Sequence, residues 1–412
     1  MVGLAVIACL VFCVGLVSRR IERALLTAPM LFVLAGLLAR WTGILDVGTA
    51  LHARTGQTEA SHEAVLVASE LALVLLLFGD AARLDLPTLR KNRLPLRLLA
   101  IGLPLTILLG TAAAVALLGH LELWECAIVA AVLAPTDAAL GRIVVASPLV
   151  PKPLRDGLSI ESGLNDGGSV PFLTLFIALA LSEEHIKGGW LTFAVEQIGY
   201  GALIGAGVGA AGGLALRGAA ERDWTAPEFE RLAFAALGVI AWLAADEAGG
   251  NGFIAAFVGG GAAGTAAGAL RHRMAQFAEE EGQLLSLAVF FIFGLFAAEA
   301  LDDATATMVV YAVLSLTVVR MVSVAIATIG LGMRPAAAAL VGWFGPRGLA
   351  SIVLALAVVD QAPALAGLAE IFLVMTVTVL LSVLLHGLTA APLVRRFAAQ
   401  PARDDRRQTV PL

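Results

Sequence analysis

Charge is scarce in this sequence. Only 14% of its 412 residues are charged, where a soluble chain of that length would carry roughly a quarter. The charges are segregated, and apolar stretches of about 17–25 residues run between them, the length that crosses a bilayer. The chain is therefore predicted to be an all-α polytopic membrane protein. Cysteine is also scarce: Cys9, Cys13 and Cys126 all lie in apolar segments without metal-ligand spacing to histidine. They read as small buried hydrophobes. No basic tract with interleaved aromatics occurs, so no nucleic-acid partner is implied. No loop is long enough for a soluble catalytic or regulatory domain, and no soluble partner is implied. The first apolar segment lacks a preceding basic stretch and a small-residue cleavage site. It is read as a retained span rather than a signal peptide.

Thirteen candidate spans are present, at about 2–18, 24–40, 64–82, 95–119, 125–146, 158–181, 190–216, 231–248, 252–270, 284–300, 306–330, 337–359 and 368–394. Loop charge orients them. With the N-terminus outside, the outer loops hold only Arg40, Arg54 and Lys187, and Arg320 and Arg347 fall inside spans. Every other residue among the 27 lysines and arginines lies on the inner side. That bias predicts an outer N-terminus, a cytoplasmic C-terminus and an odd number of spans. The tail beyond about residue 395 is polar and short.

Two spans are interrupted. The fifth reads Leu133-Ala134-Pro135-Thr136-Asp137-Ala138, and the twelfth reads Gly342-Trp343-Phe344-Gly345-Pro346-Arg347-Gly348. Proline removes a helical donor and clashes with the preceding turn. Backbone opened in this way is tolerated at membrane depth only within protein or beside water. With the seventh span as connector, the breaks fall in the fifth span of each half, and the halves enter from opposite sides. Paired broken helices in an inverted repeat point to a transporter's midplane site.

The sixth span opens with Glu161-Ser162-Gly163-Leu164-Asn165-Asp166. One charge at the centre of a bilayer costs roughly 2.5–3.5 kcal/mol on insertion scales, so such residues are expected to handle ions or protons. On a helix, Ser162 and Asp166 share one face, and Glu161 and Asn165 share a face about 100° away. With Thr136 and Asp137 they would form an oxygen-rich cage for a hard cation. Two close carboxylates in a poorly solvated place resist double ionisation, whereas a bound cation favours it. Proton and cation then compete, with Asp166 as the leading carrier and Asp137 next. An arginine is needed beside Glu161. The residues alone leave Arg320 and Arg347 open, with Arg320 preferred, and Arg347 is placed to offset the carbonyl ends of the second break.

Thr136-Asp137 in an interrupted fifth span, Glu161-Ser162 with Asn165-Asp166 in the sixth, and Gly345-Pro346-Arg347-Gly348 in the twelfth resemble the monovalent cation:proton antiporters. The match is to the sodium/proton exchanger branch with its NhaP-like bacterial members. The resemblance covers nearly the whole chain. It implies exchange of Na⁺ (or Li⁺, with K⁺ as alternative) for H⁺ without any cofactor. The implied cation and proton site is Asp166, Asp137, Thr136, Ser162 and Glu161, with Asn165 structural or proton-tuning and Arg320 paired to Glu161. It implies a homodimer in the plasma (inner) membrane, in contact with lipid, working by elevator-like alternating access.

The implied division is a dimerisation domain at 1–92 and 221–302, and an ion-transport core at 93–186 and 303–397. A connecting span lies at 187–220 and a cytoplasmic tail at 398–412. In this family Asn-Asp in the sixth span resembles the electroneutral branch and Asp-Asp the electrogenic one. The break reads Gly-Pro-Arg-Gly where many relatives have Gly-Leu-Arg-Gly.

Two other functions fit parts of the pattern. An intramembrane aspartyl protease would need two carboxylates sharing a proton, but not Asn165, Glu161 or paired breaks. A passive channel would carry steady current. Among the remaining polar residues, Asp80 reads as a loop-end residue within reach of Arg83, and His386 as a satisfied polar side chain. Gly259-Gly260-Gly261 reads as a packing surface, and Glu70 has no assigned role.

Overall fold

The computed structural model describes residues 2–23, 26–43, 59–83, 92–137, 140–145, 147–181 and 190–399. Among these, all regular structure is helical. The helices are α1 (Val2–Arg23), α2 (Ala28–Trp41), α3 (Glu59–Arg83), α4 (Arg93–Leu117), α5 (Leu123–Val132), α6 (Arg142–Val145) and α7 (Lys152–Ala180). They continue with α8 (Trp190–Glu221), α9 (Pro227–Glu247), α10 (Gly252–Ala267), α11 (Arg271–Ala300), α12 (Ala306–Ala327), α13 (Pro335–Trp343), α14 (Leu349–Gln361) and α15 (Leu368–Ala398). With α5–α6 and α13–α14 each taken as one broken segment, they follow the thirteen expected spans in order. Seven described helices are long and apolar enough to cross a membrane. The fragments α5 and α14 are too short, at 10 and 13 residues. At 1.5 Å per residue, each reaches only about half to two-thirds of a 30 Å hydrocarbon layer.

Local chemistry fixes several helix starts. Thr27 caps α2 through Met30 N, Asn251 caps α10 through Phe253 N and Ile254 N, and Thr305 caps α12 through Met308 N. Each supplies a side-chain oxygen to an amide that the first turn leaves unpaired. Buried Glu125 joins two elements: it accepts from Glu122 N at 2.9 Å and from Gly367 N at 2.7 Å, just before α15.

Two sets of helices pack among themselves. In one, α10 lies against α8 and α3, and α11 lies against α2 and α3, with α9 beside them. Backbone meets backbone there. Gly201, Gly205, Gly209 and Gly213 recur every fourth residue on α8. A Cβ at those positions would come within 2.6, 2.3, 2.1 and 2.6 Å of the carbonyl oxygens of Asn251, Ala255, Gly259 and Ala263. On the other side of α10, a Cβ at Gly260 would fall 2.2 Å from Phe78 O. Gly259 and Gly260 are thus the expected packing surface, and close approach without side chains is how membrane helices gain contact. The other set gathers α4–α7 and α12–α15.

Within that second set, α4 and α12 run antiparallel, and each contains a single π-helical turn, at Leu98–Gly102 and Ser315–Val319. They are the fourth spans of their halves, as the inverted repeat requires. In α4 the cause is Pro104, which cannot donate to Ala100 O and whose ring crowds that carbonyl. In α12 no proline is present, and the turn ends on Arg320. Single π turns of this kind concentrate at functional sites.

Large apolar side chains such as Leu108, Leu203, Ile240 and Leu384 point outward from the bundle, the normal arrangement where lipid is the solvent. One expectation is corrected here. Cys126 is buried, but Cys9 and Cys13 are exposed. Helix α1 packs mainly against α2, so its opposite face, with both cysteines, is left uncovered.

Candidate functional site

Both breaks meet at one point. Past α5, Leu133 to Asp137 leave the helix, and past α13, Phe344 to Gly348 do the same. Opened backbone inside a membrane protein must find partners, and here the two breaks supply each other. Asp137 N donates to Pro346 O at 2.8 Å. Leu349 N, at the start of α14, donates to Asp137 Oδ2 at 2.9 Å. Asp137 thus caps a half-helix that belongs to the other repeat, where a carboxylate is favoured by the exposed amides. The approach is so close that a Cβ at Gly348 would lie 2.0 Å from Asp137 Oδ2. Gly345 is equally constrained, since a Cβ there would lie 2.5 Å from Arg320 Nε.

Helix α7 satisfies the rest of the first break. Ser162 Oγ donates to Thr136 O, and Asn165 Nδ2 donates to Thr136 Oγ1 at 2.8 Å. Thr136 N in turn donates to Asn165 Oδ1 at 3.3 Å. Two faces of α7 were expected to separate, one toward the break and one toward an arginine. The structure differs: Asn165 bridges both, because its amide also donates to Glu161 Oε1 at 3.2 Å. An amide has donors and an acceptor to spare, so one side chain spans the 100° between faces.

Glu161 and Arg320 form a two-pronged ion pair, Nη1 to Oε1 at 2.8 Å and Nη2 to Oε2 at 2.9 Å, with side chains 2% and 3% exposed. This is the pairing preferred from sequence. Both Glu161 oxygens are therefore engaged, Oε1 by Arg320 and Asn165 and Oε2 by Arg320. Arg347 is wholly buried on the second break. Its Nη1 donates to Gly345 O at 2.7 Å and its backbone N to Ser382 Oγ at 2.6 Å. It offsets a carbonyl of its own break, as expected, while its Nε and Nη2 find no partner among the described residues. Ser382 also contacts His386 Nδ1 at 3.1 Å. The i,i+4 pair Ser382/His386 within a largely apolar stretch of α15 was the signal for this support, and sequence reasoning passed over Ser382.

Asp166 stands apart from these bonds. Its Oδ1 is buried and has no partner among the described residues, and Asp137, Asp80 and Glu161 are close enough to act on it electrostatically. Glycines flank it. A Cβ at Gly163 would lie 3.3 Å from Asp80 Cβ on α3, and one at Gly167 would lie 3.1 Å from the Phe257 ring on α10. Asp80 is thus not a loop-end residue: it sits within α3, half-buried, facing α7. Glu70, higher on α3, lies near the charges of Asp246 and Asp360.

A cavity of about 10 Å³ opens between Thr136, Asp137 and Ser162 on one side and Val144, Leu158 and Phe344 on the other. That is room for about one water. Among the described residues, no three His, Cys, Asp or Glu side chains are arranged to hold a metal ion. Any cation here would depend on hydroxyl and backbone oxygens as well as carboxylates.

A sequence profile described as "Sodium/hydrogen exchanger, transmembrane" matches residues 6–396. A probable Na⁺/H⁺ antiporter of Schizosaccharomyces pombe is 32% identical over 154 residues, covering 35% of this chain and 20% of that protein. The chain thus matches about a fifth of the length of that curated relative. The solved structure of the sodium proton antiporter MjNhaP1 from Methanocaldococcus jannaschii at pH 8 superposes with a TM-score of 0.71 at 20% identity, covering 93% of this chain and 98% of that one. An electron-microscopy structure of the same antiporter superposes at 0.67, also at 20% identity, covering 95% and 97%. The fold is shared along essentially the full length.

Proposed function

Because this chain belongs to the sodium/hydrogen exchanger family, we propose that it is a secondary transporter, not an enzyme, exchanging Na⁺ (or Li⁺) for H⁺. The observation that carries this reading is Asp166: a carboxylate oxygen buried without a partner among the described residues, beside a crossing where Thr136, Asp137, Ser162, Asn165 and Glu161 are all hydrogen-bonded. Such a group takes either a proton or a cation, and each excludes the other. Thr136, Asp137 and Ser162 border a small cavity and would supply the other oxygens that replace a small cation's hydration shell. K⁺ in place of Na⁺ is the nearest variant of this reading.

Electroneutral exchange follows from who is free to titrate. Glu161 is neutralised by Arg320, and Asn165 carries no charge, so Asp166 exchanges one proton for one cation while Asp137 caps α14. The set α4–α7 with α12–α15 forms the moving core. The set α1–α3 with α9–α11 forms a scaffold that supports a homodimer, and α8 braces it through the glycine ladder. The core slides on the scaffold as an elevator, in a plasma (inner) membrane with the N-terminus outside.

The test is cation-driven proton flux in proteoliposomes loaded with a pH-sensitive dye, compared for wild type and Asp166→Asn. Wild type should respond to Na⁺ or Li⁺, equally with the membrane potential clamped at zero or at a large value. The variant should fall to the level of empty liposomes. Because protons compete at the same carboxylate, the cation concentration for half-maximal rate should rise as pH falls. Flux retained in Asp166→Asn would move the carrier elsewhere, and steady current under a cation gradient would point to a channel.

A further inference from the structure

A hydrogen bond crosses from one helix set to the other on the far side of Asp166 from the break cavity. On α7, Gly167 lies under the ring of Phe257 from α10, 3.1 Å from where its Cβ would be. Seven residues on, close to two full turns, Thr174 lies on the same face. It meets Asn251, the residue that caps α10. Asn251 Nδ2 donates to Thr174 Oγ1 at 3.4 Å. Thr174 belongs to the set proposed as the moving core, and Asn251 to the set proposed as the scaffold.

Both partners are held in place. Asn251 N donates to Gln197 O on α8 at 3.0 Å, and Gln197 Nε2 donates to Gly249 O at 2.9 Å. The loop lies flat on α8, where a Cβ at Gly250 would fall 2.6 Å from Gly201 N. Asn251 Oδ1 accepts from Phe253 N and Ile254 N at 3.0 and 3.1 Å. With the oxygen committed to the cap, the amide nitrogen is left to reach across. Thr174 Oγ1 gives its own proton to Val170 O at 3.0 Å, so a hydroxyl lone pair faces the amide.

The contact also has a side. In the orientation that loop charge gives, Thr174 and Asn251 lie toward the outer face from Asp166. The cavity at the first break is bordered by Val144 and Leu158, toward the cytoplasm. The space beside the site therefore lies inward, and the fastening lies outward. Sliding α7 past α10 by a few ångströms takes a 3.4 Å contact out of hydrogen-bond range. The bond belongs to one position of the core and stabilises that position alone.

We propose that Asn251 and Thr174 form a latch across the seam, which holds the protein in its cytoplasm-facing position and sets how rarely the site faces outward. This rests on the exchange reading above. Apparent affinity on one side is the intrinsic affinity reduced by the fraction of molecules that face that side. Loss of one hydrogen bond shifts such an equilibrium by about two- to tenfold. The latch thereby weakens outer-side binding without touching a single cation ligand.

The experiment measures the apparent KM for Na⁺ from each side separately, in proteoliposomes of defined orientation. It compares wild type, Thr174→Val, Thr174→Ser, Asn251→Ser and the double variant Thr174→Val with Asn251→Ser. Serine at 251 keeps an oxygen to cap α10 but is too short to reach Thr174. Thr174→Val and Asn251→Ser should each lower the outer-side KM by at least about twofold, with no fall on the cytoplasmic side. Thr174→Ser, which keeps the hydroxyl, should behave as wild type. The double variant should fall no further than either single one, because both remove the same bond. A purely structural contact would lower the melting temperature or the maximal rate and leave both KM values alone, and that result overturns the proposal. So do additive effects in the double variant, or an equal fall on both sides. Absence of cation-driven flux in wild type would instead overturn the exchange reading and this inference together.

Discussion

Glu161 and Arg320 are 2% and 3% exposed and hold each other through two contacts. Removing one partner from such a pair strands a charge in a medium that cannot solvate it, a loss of about 3–5 kcal/mol. Replacing both by neutral groups avoids that penalty. Glu161→Gln should therefore lower the melting temperature in detergent more than the double change Glu161→Gln with Arg320→Met. A double variant as unstable as the single one would mean that shape, not charge, holds the two together. Asn165 belongs to the same unit, since its amide contacts Glu161 on one side and Thr136 on the other. Its side chain ties a neutralised ion pair to an open backbone.

At the level of helices, α8 and α10 make the strongest demand on sequence. Gly209 faces Gly259 O, and a Cβ there would lie 2.1 Å away, whereas Gly207, two residues earlier, has nothing within 4 Å. Gly209→Val should force the helices apart at a cost of roughly 1–3 kcal/mol or more. Gly207→Val should be tolerated, even slightly favoured in a helix interior. Thermal unfolding of the two variants in detergent checks this, and equal melting temperatures would remove the ladder's importance. The elements themselves were readable in the sequence. Apolar run length located the spans, prolines located the breaks, and the i,i+4 spacing of Ser162 and Asp166 placed the polar faces of α7. The π turn of α12 was not readable, because no proline marks it. The contact of Asp80 with Gly163 was not readable either. Three residues from the end of α3, Asp80 looks like a loop residue in one dimension, and only the packing of α3 on α7 reveals it. The exposure of Cys9 and Cys13 likewise depends on how few neighbours α1 has, which its own sequence does not state.

For the whole molecule, the proposed cycle requires one helix set to slide against the other, and the α3–α7 seam offers a way to stop it. The Cβ positions of residues 80 and 163 are 3.3 Å apart, close to the separation a disulfide spans. The double variant Asp80→Cys with Gly163→Cys should cross-link under oxidation. Its proton flux should then cease and return on reduction to the level of the same variant never oxidised. Continued flux in the cross-linked protein would rule out sliding along this seam. Asp137 carries a further consequence. By covalent sequence it belongs to the first half of the chain, yet its carboxylate closes the start of α14 in the second. Expressed alone, the second half would leave the start of α14 uncapped, and the first would leave Asp137 without Leu349 N and Pro346 O. The two halves, however alike in plan, are therefore not separable modules, and a cell that made only one of them would be making a substrate for its membrane proteases.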